Sequence, residues 1–246
     1  MKKTVIAIAA LTIALSSQAQ VKEGKVIYER KVNMHKRLRP EDESMKNMIP
    51  EFNTSKMQLF FTTDASLFKA VPEAEDVRET AGEQGERVVM RFGGGGDNEN
   101  YKNYTTQKMI ELRELGPKKY IIEDSLRKQS WKLSDETKMI KNYNCKKAIT
   151  KNSQNLDVVA WYAEDISTPS GPEGYGGLPG LILELDIDNA GIVFTALEIT
   201  ASEADARMVK APTNGKKITR EEYQKMMQEQ YGVTPGGGPT IRIIRN

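Results

Sequence analysis

The sequence predicts a mainly β protein, built as a large curved antiparallel sheet or open barrel with a C-terminal helix packed against it. Apolar and polar residues alternate through most of the 246-residue chain, as at Met57, Leu59 and Phe61, and this period of two is typical of strands with one buried face. The predicted strands follow one another without helical patterns between them, which favours antiparallel pairing. About ten strands in one open sheet tend to curl, so we expect a curved sheet.

The first part of the chain supplies a series of single strands. In chain order they are predicted at residues 24–34, 56–63, 66–71, 86–92, 100–106, 108–115 and 118–123. The acidic stretch 73–86 and the glycine run 93–96 separate strands in this series. We predict both of them as loops.

Two hairpins are predicted further along the chain. The first joins residues 138–151 to 156–165 across a four-residue polar turn, whose composition suits a tight connection. The second joins residues 181–187 to 193–199, and both of its strands carry large apolar residues at alternate positions. These hairpins extend the antiparallel sheet toward the C-terminus.

Two segments have helical spacing instead. Residues 43–52 are predicted as a short helix that is cut short by Pro50. Thr219 and Glu222 have the spacing of a capping box, in which each residue satisfies a backbone N–H of the other. This signal predicts the C-terminal helix near 220–231.

The first nineteen residues predict a secretory signal peptide. Two lysines precede an apolar run at 5–15, and residues 17–19 resemble a cleavage site. A membrane-spanning helix needs about 18 apolar residues, more than this run supplies. We therefore expect an exported protein on the periplasmic or extracellular side of a bacterial envelope, with no membrane span after signal removal. Its single domain is predicted at 20–233, followed by a Gly/Pro-rich tail at 234–246.

The charge of the mature chain argues against nucleic acid as a partner. Loss of Lys2 and Lys3 with the signal leaves 34 basic and 34 acidic residues, so the net charge is zero. The strongest basic cluster, at 35–39, is followed at once by acidic residues at 41–43. A nucleic-acid binder needs a concentrated basic surface. The remaining partner classes are a small molecule, a peptide or an outer-membrane protein.

Residues 177–182 read GLPGLI, and the sequence here resembles the GLPGLI family of exported bacterial envelope proteins. Other features similar to that family are Gly24 to Lys36, Tyr143, Cys145, Trp161, Tyr162, Gly171 and Pro172. The resemblance covers most of the mature chain and is densest at 139–199. It implies export to the envelope, but it implies no particular activity.

The segment 168–180, here called the Gly/Pro loop, contains five glycines and three prolines directly before a hydrophobic strand. Glycine permits close backbone approach, and proline reduces the entropy lost on ordering. One interpretation is a structural connection with Leu178 inserted in the core, and the other is a preformed rim that binds a ligand or partner. The candidate binding residues are Gly171, Pro172, Tyr175, Gly177, Leu178, Pro179 and Gly180.

Residues for catalysis are few, and no catalytic residue is predicted. His35 is the only histidine and lies in a basic run, whereas the lone Cys145 lies in a predicted strand, where cysteine is usually a small buried hydrophobe. Glu164 and Asp165 are neighbours on a strand and point to opposite faces. Residues 186–191 resemble the start of a calcium loop but lack two of its ligands, which favours a hairpin turn.

Metal binding is the alternative. Met34, His35, Met45 and Met48 are soft or borderline ligands in one local region that could hold copper. Methionines at helical spacing are more often part of a core. No cofactor is predicted.

The sequence thus favours a non-catalytic exported envelope accessory protein that binds an apolar or peptide-like ligand or an outer-membrane partner. A metal (copper)-handling protein is the alternative, and a hydrolase is less favoured.

Overall fold

The computed structural model describes residues 20–38, 43, 46–47, 49–72, 76–81, 87–92 and 98–231. Within these ranges the chain forms strands β1 (Gly24–Asn33), β2 (Phe52–Phe61), β3 (Ala65–Ala70), β4 (Asp76–Ala81), β5 (Arg87–Phe92), β6 (Glu99–Asn103), β7 (Lys108–Leu115), β8 (Lys118–Ser125), β9 (Lys132–Ile140), β10 (Tyr143–Lys151), β11 (Asp157–Ala163), β12 (Leu181–Ile187), β13 (Ile192–Thr200) and β14 (Lys216–Ile218), with helices α1 (Glu203–Ala206) and α2 (Arg220–Tyr231). The predicted signal peptide, the glycine run 93–96 and the tail 234–246 lie outside the described residues.

Twelve of these strands form one sheet, in the order β14-β8-β7-β6-β3-β2-β1-β13-β12-β11-β10-β9. Neighbouring strands run antiparallel, except that the short β14 pairs parallel with β8. β4 and β5 form a separate antiparallel hairpin. The predicted mainly β fold, with one large sheet and a C-terminal helix, is confirmed.

The path of the chain shows how strongly this sheet curls. β8 is second in the sheet order and β9 is last, yet only residues 126–131 join them. Ten strand-to-strand steps in a flat sheet would cover about 48 Å, whereas a link of this length reaches at most about 25 Å. The two ends of the sheet therefore approach each other. Among the described strands the edges β14 and β9 do not pair, so the curled sheet remains open.

The apolar core lies on one face of the curled sheet. The rings of Tyr28 and Phe194 each meet Phe68 edge to face, with centroids 6.4 and 6.0 Å apart. The Tyr28 hydroxyl donates to the Ile182 carbonyl oxygen at 2.7 Å, so its polar end is satisfied inside the core. Leu178 of the Gly/Pro loop is 3% exposed and joins the same cluster.

Local signals predicted the second hairpin and α2 correctly. In the β12–β13 turn, the Ala190 backbone N–H donates to Asp186 Oδ1 at 2.7 Å, which holds a turn of residues with positive φ. At the start of α2, the Thr219 N–H donates to Glu222 Oε2 at 2.8 Å and the Glu222 N–H donates to Thr219 Oγ1 at 3.1 Å. The capping box is therefore present in both directions.

The predicted single strand at 138–151 is wrong, because the chain turns within it. β9 ends at Ile140 and β10 begins at Tyr143, with Lys141 in the turn at a φ of 53°. β9 begins at Lys132, where no strand is predicted. Most of its side chains are exposed, so this strand lacks the alternating apolar face on which the prediction relied.

Two further predictions need correction. The acidic stretch 73–86 is not all loop, because it contains β4, which is held by backbone pairing with β5. The short helix at 43–52 is not continuous in the part of it that the structure describes, since Glu43, Lys46 and Asn47 have 3-10 conformation and Phe52 already begins β2. Pro50 cannot donate a helical hydrogen bond, which fits this early end.

No helix within the described ranges is long and apolar enough to cross a membrane.

Candidate ligand-binding cleft

The core face of the sheet changes from apolar to polar where it reaches β6. In the ladder between β3 and β6, Asn100 lies opposite the core residue Phe68, and Lys102 lies opposite Ser66. Across the next ladder, Asn100 pairs with Glu111 and Lys102 with Met109 on β7. Because alternate residues of a strand share a face, the register places charged and polar side chains beside the core.

A cleft of about 680 Å³ lies over this polar part of the face. It lies between strands near one end of the sheet order and the β10–β11 turn near the other, and the curl of the sheet brings these together. Its lining is Lys102, Tyr104, Gln107, Met109, Glu111, Leu126, Arg127, Lys128, Gln129, Lys151, Asn152, Ser153, Pro169, Gly174, Tyr175, Gly176, Gly177 and Arg220. The volume is in the range typical of small-molecule and short-peptide sites.

Lys102 is the most unusual group in the cleft. It is 4% exposed, and its Nζ donates to the Tyr175 carbonyl oxygen at 2.6 Å. Among the described residues, no carboxylate oxygen lies within 4.0 Å of this ammonium group. Burial lowers its pKa to about 8, although the more distant charges of Glu111 and Glu173 oppose the shift.

Glu111, by contrast, is fully paired. This carboxylate is 7% exposed and accepts from Arg113 at 2.6 Å and from Arg220 at 2.7 Å. Arg220 also donates to Asp124 at 2.8 Å, and this hydrogen bond is the main reason why the pKa of Asp124 is lowered. The network fixes the first residue of α2 against β7 and β8 at the cleft wall.

The neighbouring tyrosines supply aromatic surface. The Tyr104 hydroxyl lies 2.7 Å from the Ser66 hydroxyl, and burial raises the pKa of Tyr104 to about 12. The Tyr175 ring lies 6.4 Å from that of Trp131, centroid to centroid. Burial also raises the pKa of Tyr175. Both tyrosine hydroxyls therefore remain protonated at neutral pH, and each tyrosine offers an apolar ring and one hydroxyl group.

The Gly/Pro loop forms one wall of the cleft, and hydrogen bonds hold it from both sides. The Gly177 N–H donates to the Pro169 carbonyl oxygen at 2.8 Å, which closes the loop on itself. The Gly176 N–H donates to Gln129 Oε1 at 3.2 Å, and Trp131 Nε1–H donates to the Gly176 carbonyl oxygen at 2.9 Å. The β8–β9 connection thus fixes the wall in place without a ligand.

The seven candidate loop residues divide into two groups. Tyr175 and Gly177 line the cleft, and Gly177 has a φ of +81° that favours glycine. Gly171, Pro172, Leu178 and Gly180 are instead buried, and Pro179 is exposed outside the lining. The structural interpretation therefore holds for Leu178, which lies in the core, whereas binding by Tyr175 and Gly177 stays a prediction.

Gly180 is required for a steric reason. Its φ does not lie in the positive region, so strain at a left-handed position does not explain the glycine here. A Cβ atom at Gly180 would clash with the backbone carbonyl oxygen of Ala163, at the end of β11. The close approach of two backbones thus sets the residue type.

Lys102, Glu111 and Arg220 are not among the site residues predicted from the sequence. Lys102 lies in the strand predicted at 100–106, and Glu111 lies in the one predicted at 108–115. The sequence does contain one signal for Lys102, because it is a lysine at an inward-facing position of a predicted strand. Charged residues rarely lie fully buried without a partner, so such a position is a candidate for a site. That Arg220 meets Glu111 depends on the sheet topology, which no local pattern contains.

Only two of the four predicted copper ligands, Met34 and His35, lie within the described residues, so the predicted site stays a prediction. Met34 is buried with Val32 and Ile49 in a small apolar cluster, and His35 Nε2 lies 3.1 Å from the Ile49 carbonyl oxygen. Met45 and Met48 lie outside the described residues. Within the ranges that the structure covers, no three His, Cys, Asp or Glu side chains are grouped to hold a metal ion.

Cys145 lies in β10, fully buried, as the sequence predicts. Burial raises the pKa of its thiol to about 11, so the reactive thiolate is scarce at neutral pH.

Comparison with known proteins gives one family and one fold. Residues 98–225, about half of the chain, match the family model described as N-glycanase peptide, N-terminal domain. No curated protein matches the sequence. The structure is similar to PNGF-II in the C2 space group (TM-score 0.56, 18% identity, 85% of this chain and 33% of that one) and in the P21 space group (TM-score 0.57, 17% identity, 85% and 34%). The chain thus spans about a third of the length of PNGF-II, and at this identity the likeness concerns the fold.

Proposed function

This chain belongs to the family of N-glycanase peptide N-terminal domains, and from that premise we propose that it is a non-catalytic exported envelope protein that binds a peptide-like ligand in the cleft. The observation that carries the proposal is the cleft itself, whose wall is held in place by loop-to-linker hydrogen bonds. A rigid wall reduces the entropy lost on binding.

The lining supports a peptide rather than a purely apolar ligand. Met109, Leu126 and the tyrosine rings offer apolar surface, whereas Gln107 and Ser153 offer hydrogen-bonding groups. A peptide presents the same mixture, with amide groups spaced between side chains. The volume of about 680 Å³ accommodates a few residues of such a chain.

The family name directs the choice of peptide. The matched relatives include PNGF-II, and the family is named for an N-glycanase, so a peptide that carries an N-linked glycan is a natural form of the ligand to test. The N-glycanase reaction itself is not part of the proposal, because this chain corresponds to about a third of PNGF-II.

Export to the envelope is a further part of the proposal, supported by the signal-like segment 1–19 and by the resemblance to the GLPGLI family. The mature protein would begin at Gln20. The intact mass of protein isolated from the envelope fraction tests this, since a mass that retains residues 1–19 contradicts it.

The β10–β11 turn provides a matched pair of variants to test the binding site. Ser153 and Gln154 are both exposed, but only Ser153 lines the cleft. The mature protein is immobilised and exposed to a random pentapeptide library, with and without glycosylated members, and retained peptides are identified by mass spectrometry. We expect enrichment by the wild type and by Gln154→Trp, and its loss in Ser153→Trp. Equal enrichment by the two variants would place binding elsewhere and contradict the proposal.

A further inference from the structure

We propose that the cleft recognises a carboxylate group of its ligand and that Lys102 is the residue that pairs with it. This inference rests on the proposed function and specifies the chemistry of the ligand. It covers two sources of the same group, an acidic side chain or a free C-terminus.

The Lys102 ammonium group is a buried charge that has no ionic partner within the described ranges of the chain. A buried charge is costly unless it is paired, and natural proteins rarely keep one without a use. Lys102 donates to the Tyr175 carbonyl, but an ammonium group carries three N–H donors. A ligand oxygen in the cleft can therefore accept from Lys102 while the Tyr175 contact remains.

The charge of the lining also favours an anionic ligand. Among the described residues that line the cleft, the cationic side chains are Lys102, Arg127, Lys128, Lys151 and Arg220, and the carboxylate is Glu111. Glu111 is already neutralised by two guanidinium groups, so it offers little repulsion to an incoming anion. A mainly cationic cleft with low-dielectric walls concentrates ligands of the opposite sign, although the mature chain as a whole is predicted to be neutral.

The other cations of the lining indicate which kind of anion fits. Arg220 is engaged by Glu111 and Asp124, and Lys151 pairs with Asp157 at 2.7 Å. The remaining buried cation is Lys102. Its ammonium group is a point charge, unlike the planar guanidinium group of arginine, which can form two parallel hydrogen bonds. One ammonium group suits a singly charged carboxylate, whereas phosphate sites usually combine several donors.

The pKa of Lys102 agrees with this geometry. Burial lowers it to about 8, so the group is still mainly protonated at pH 7, and only the more distant charges of Glu111 and Glu173 favour its charged form. A carboxylate bound in the cleft would favour the charged form and raise this pKa.

The test uses the immobilised mature protein and the random pentapeptide library, made once with free and once with amidated C-termini. We expect acidic or free-acid peptides to be enriched about tenfold over neutral ones by the wild type. Lys102→Met should lose this preference. Lys118→Met, which removes an exposed cation of β8 that does not line the cleft, should keep it and so controls for the loss of one positive charge.

A pH series provides a measurement that does not depend on the folding of Lys102→Met. The charged groups that act on Lys102 are Glu111 on β7 and Glu173 in the Gly/Pro loop, and the pKa values of Tyr104 and Tyr175 are raised above the normal tyrosine value. The acid preference of the wild type should therefore be strong at pH 6 and weak at pH 9.5.

The outcomes separate the two proposals. Enrichment that is lost in Ser153→Trp but shows no acid preference would overturn the role of Lys102 and leave the binding function intact. An acid preference that persists in folded Lys102→Met, or is unchanged at pH 9.5, would also overturn it. Failure to enrich any peptide over Ser153→Trp would overturn the proposed function, and this inference with it.

Discussion

The same face of one sheet has an apolar half and a cleft half, and the two differ in their buried polar groups. In the apolar half, around Phe68 and Phe194, aromatic rings pack edge to face and the buried Tyr28 hydroxyl is hydrogen bonded. In the cleft half, Lys102 is a buried charge with no carboxylate within 4.0 Å among the residues that the structure describes. The first half stabilises the fold, and the second is the site of the proposed ligand.

The Gly/Pro loop connects the two halves. Leu178 lies in the apolar core, whereas Tyr175 and Gly177, only a few residues earlier, line the cleft. Stability and binding should therefore respond to different residues of one loop.

The largest loss of stability is expected for Gly180→Val. A side chain here must displace the backbone of β11 at Ala163 rather than a flexible side chain, so the cost should exceed the usual about 1–3 kcal/mol of overpacking and reach about 5 kcal/mol or more. Gly174→Ala is the matched control, since Gly174 lies in the same loop and its added Cβ would meet open space. Thermal and denaturant unfolding of both variants measures the difference. A Gly180→Val protein that unfolds like the wild type would remove the steric argument.

Leu178→Ala should be nearly as damaging, because it leaves a cavity in the main core. Truncation of a buried leucine costs about 2–5 kcal/mol. Pro179→Ala changes the exposed neighbouring residue and should cost less than 1 kcal/mol. The free energy of unfolding, from denaturant titration, measures both. Similar values for the two variants would show that Leu178 does not contribute to the core.

Substitutions in the cleft half should have little effect on the stability of the protein. Ser153→Ala removes an exposed cleft residue, and we expect the free energy of unfolding to change by less than about 0.5 kcal/mol. A loss comparable with that of Leu178→Ala would show that the cleft wall is part of the stabilising core. Denaturant unfolding under identical conditions makes the comparison.

The smallest effect concerns reactivity rather than stability. Cys145 is fully buried and burial raises its thiol pKa to about 11, so alkylation of the native protein should be slow at pH 7.5. In denaturant the same thiol should react completely. Mass spectrometry of the labelled protein follows the reaction. Rapid labelling of the native state would show that β10 opens easily or that the thiol is activated.

Sequence patterns identified the elements that have a local physical cause. The capping box at Thr219 and Glu222 and the turn held by Asp186 depend on neighbouring residues, and both are present as predicted. The exposed strand β9 and the turn at Lys141 were missed, because an exposed strand need not alternate apolar and polar residues.

The cleft itself could not be predicted from local patterns. It depends on the curl that joins β8 to β9 and brings the β10–β11 turn toward β6. The motif at 177–182 drew attention to the correct loop, yet only Tyr175 and Gly177 of its candidates reach the cleft. Lys102 belongs to a strand far from that loop in sequence, and only the tertiary fold brings them together.

The most direct test of the division between the two halves is the free energy of unfolding of Lys102→Met as a function of pH. In the wild type, the pKa of Lys102 is about 8 in the folded state and about 10.5 in the unfolded state, so the unfolded chain binds the additional proton between these values. The resulting cost, roughly 3 kcal/mol, is present in full below pH 8 and disappears as the pH rises toward 10.5.

We therefore predict that Lys102→Met is at least as stable as the wild type at pH 7, and that the wild type gains stability relative to the variant between pH 8 and 10.5. Calorimetry or denaturant unfolding across this range measures it. A variant that is less stable than the wild type at pH 7, with a difference that does not change up to pH 10.5, would contradict the account. Lys102 would then be a stabilising residue of the core rather than a charge kept for a ligand.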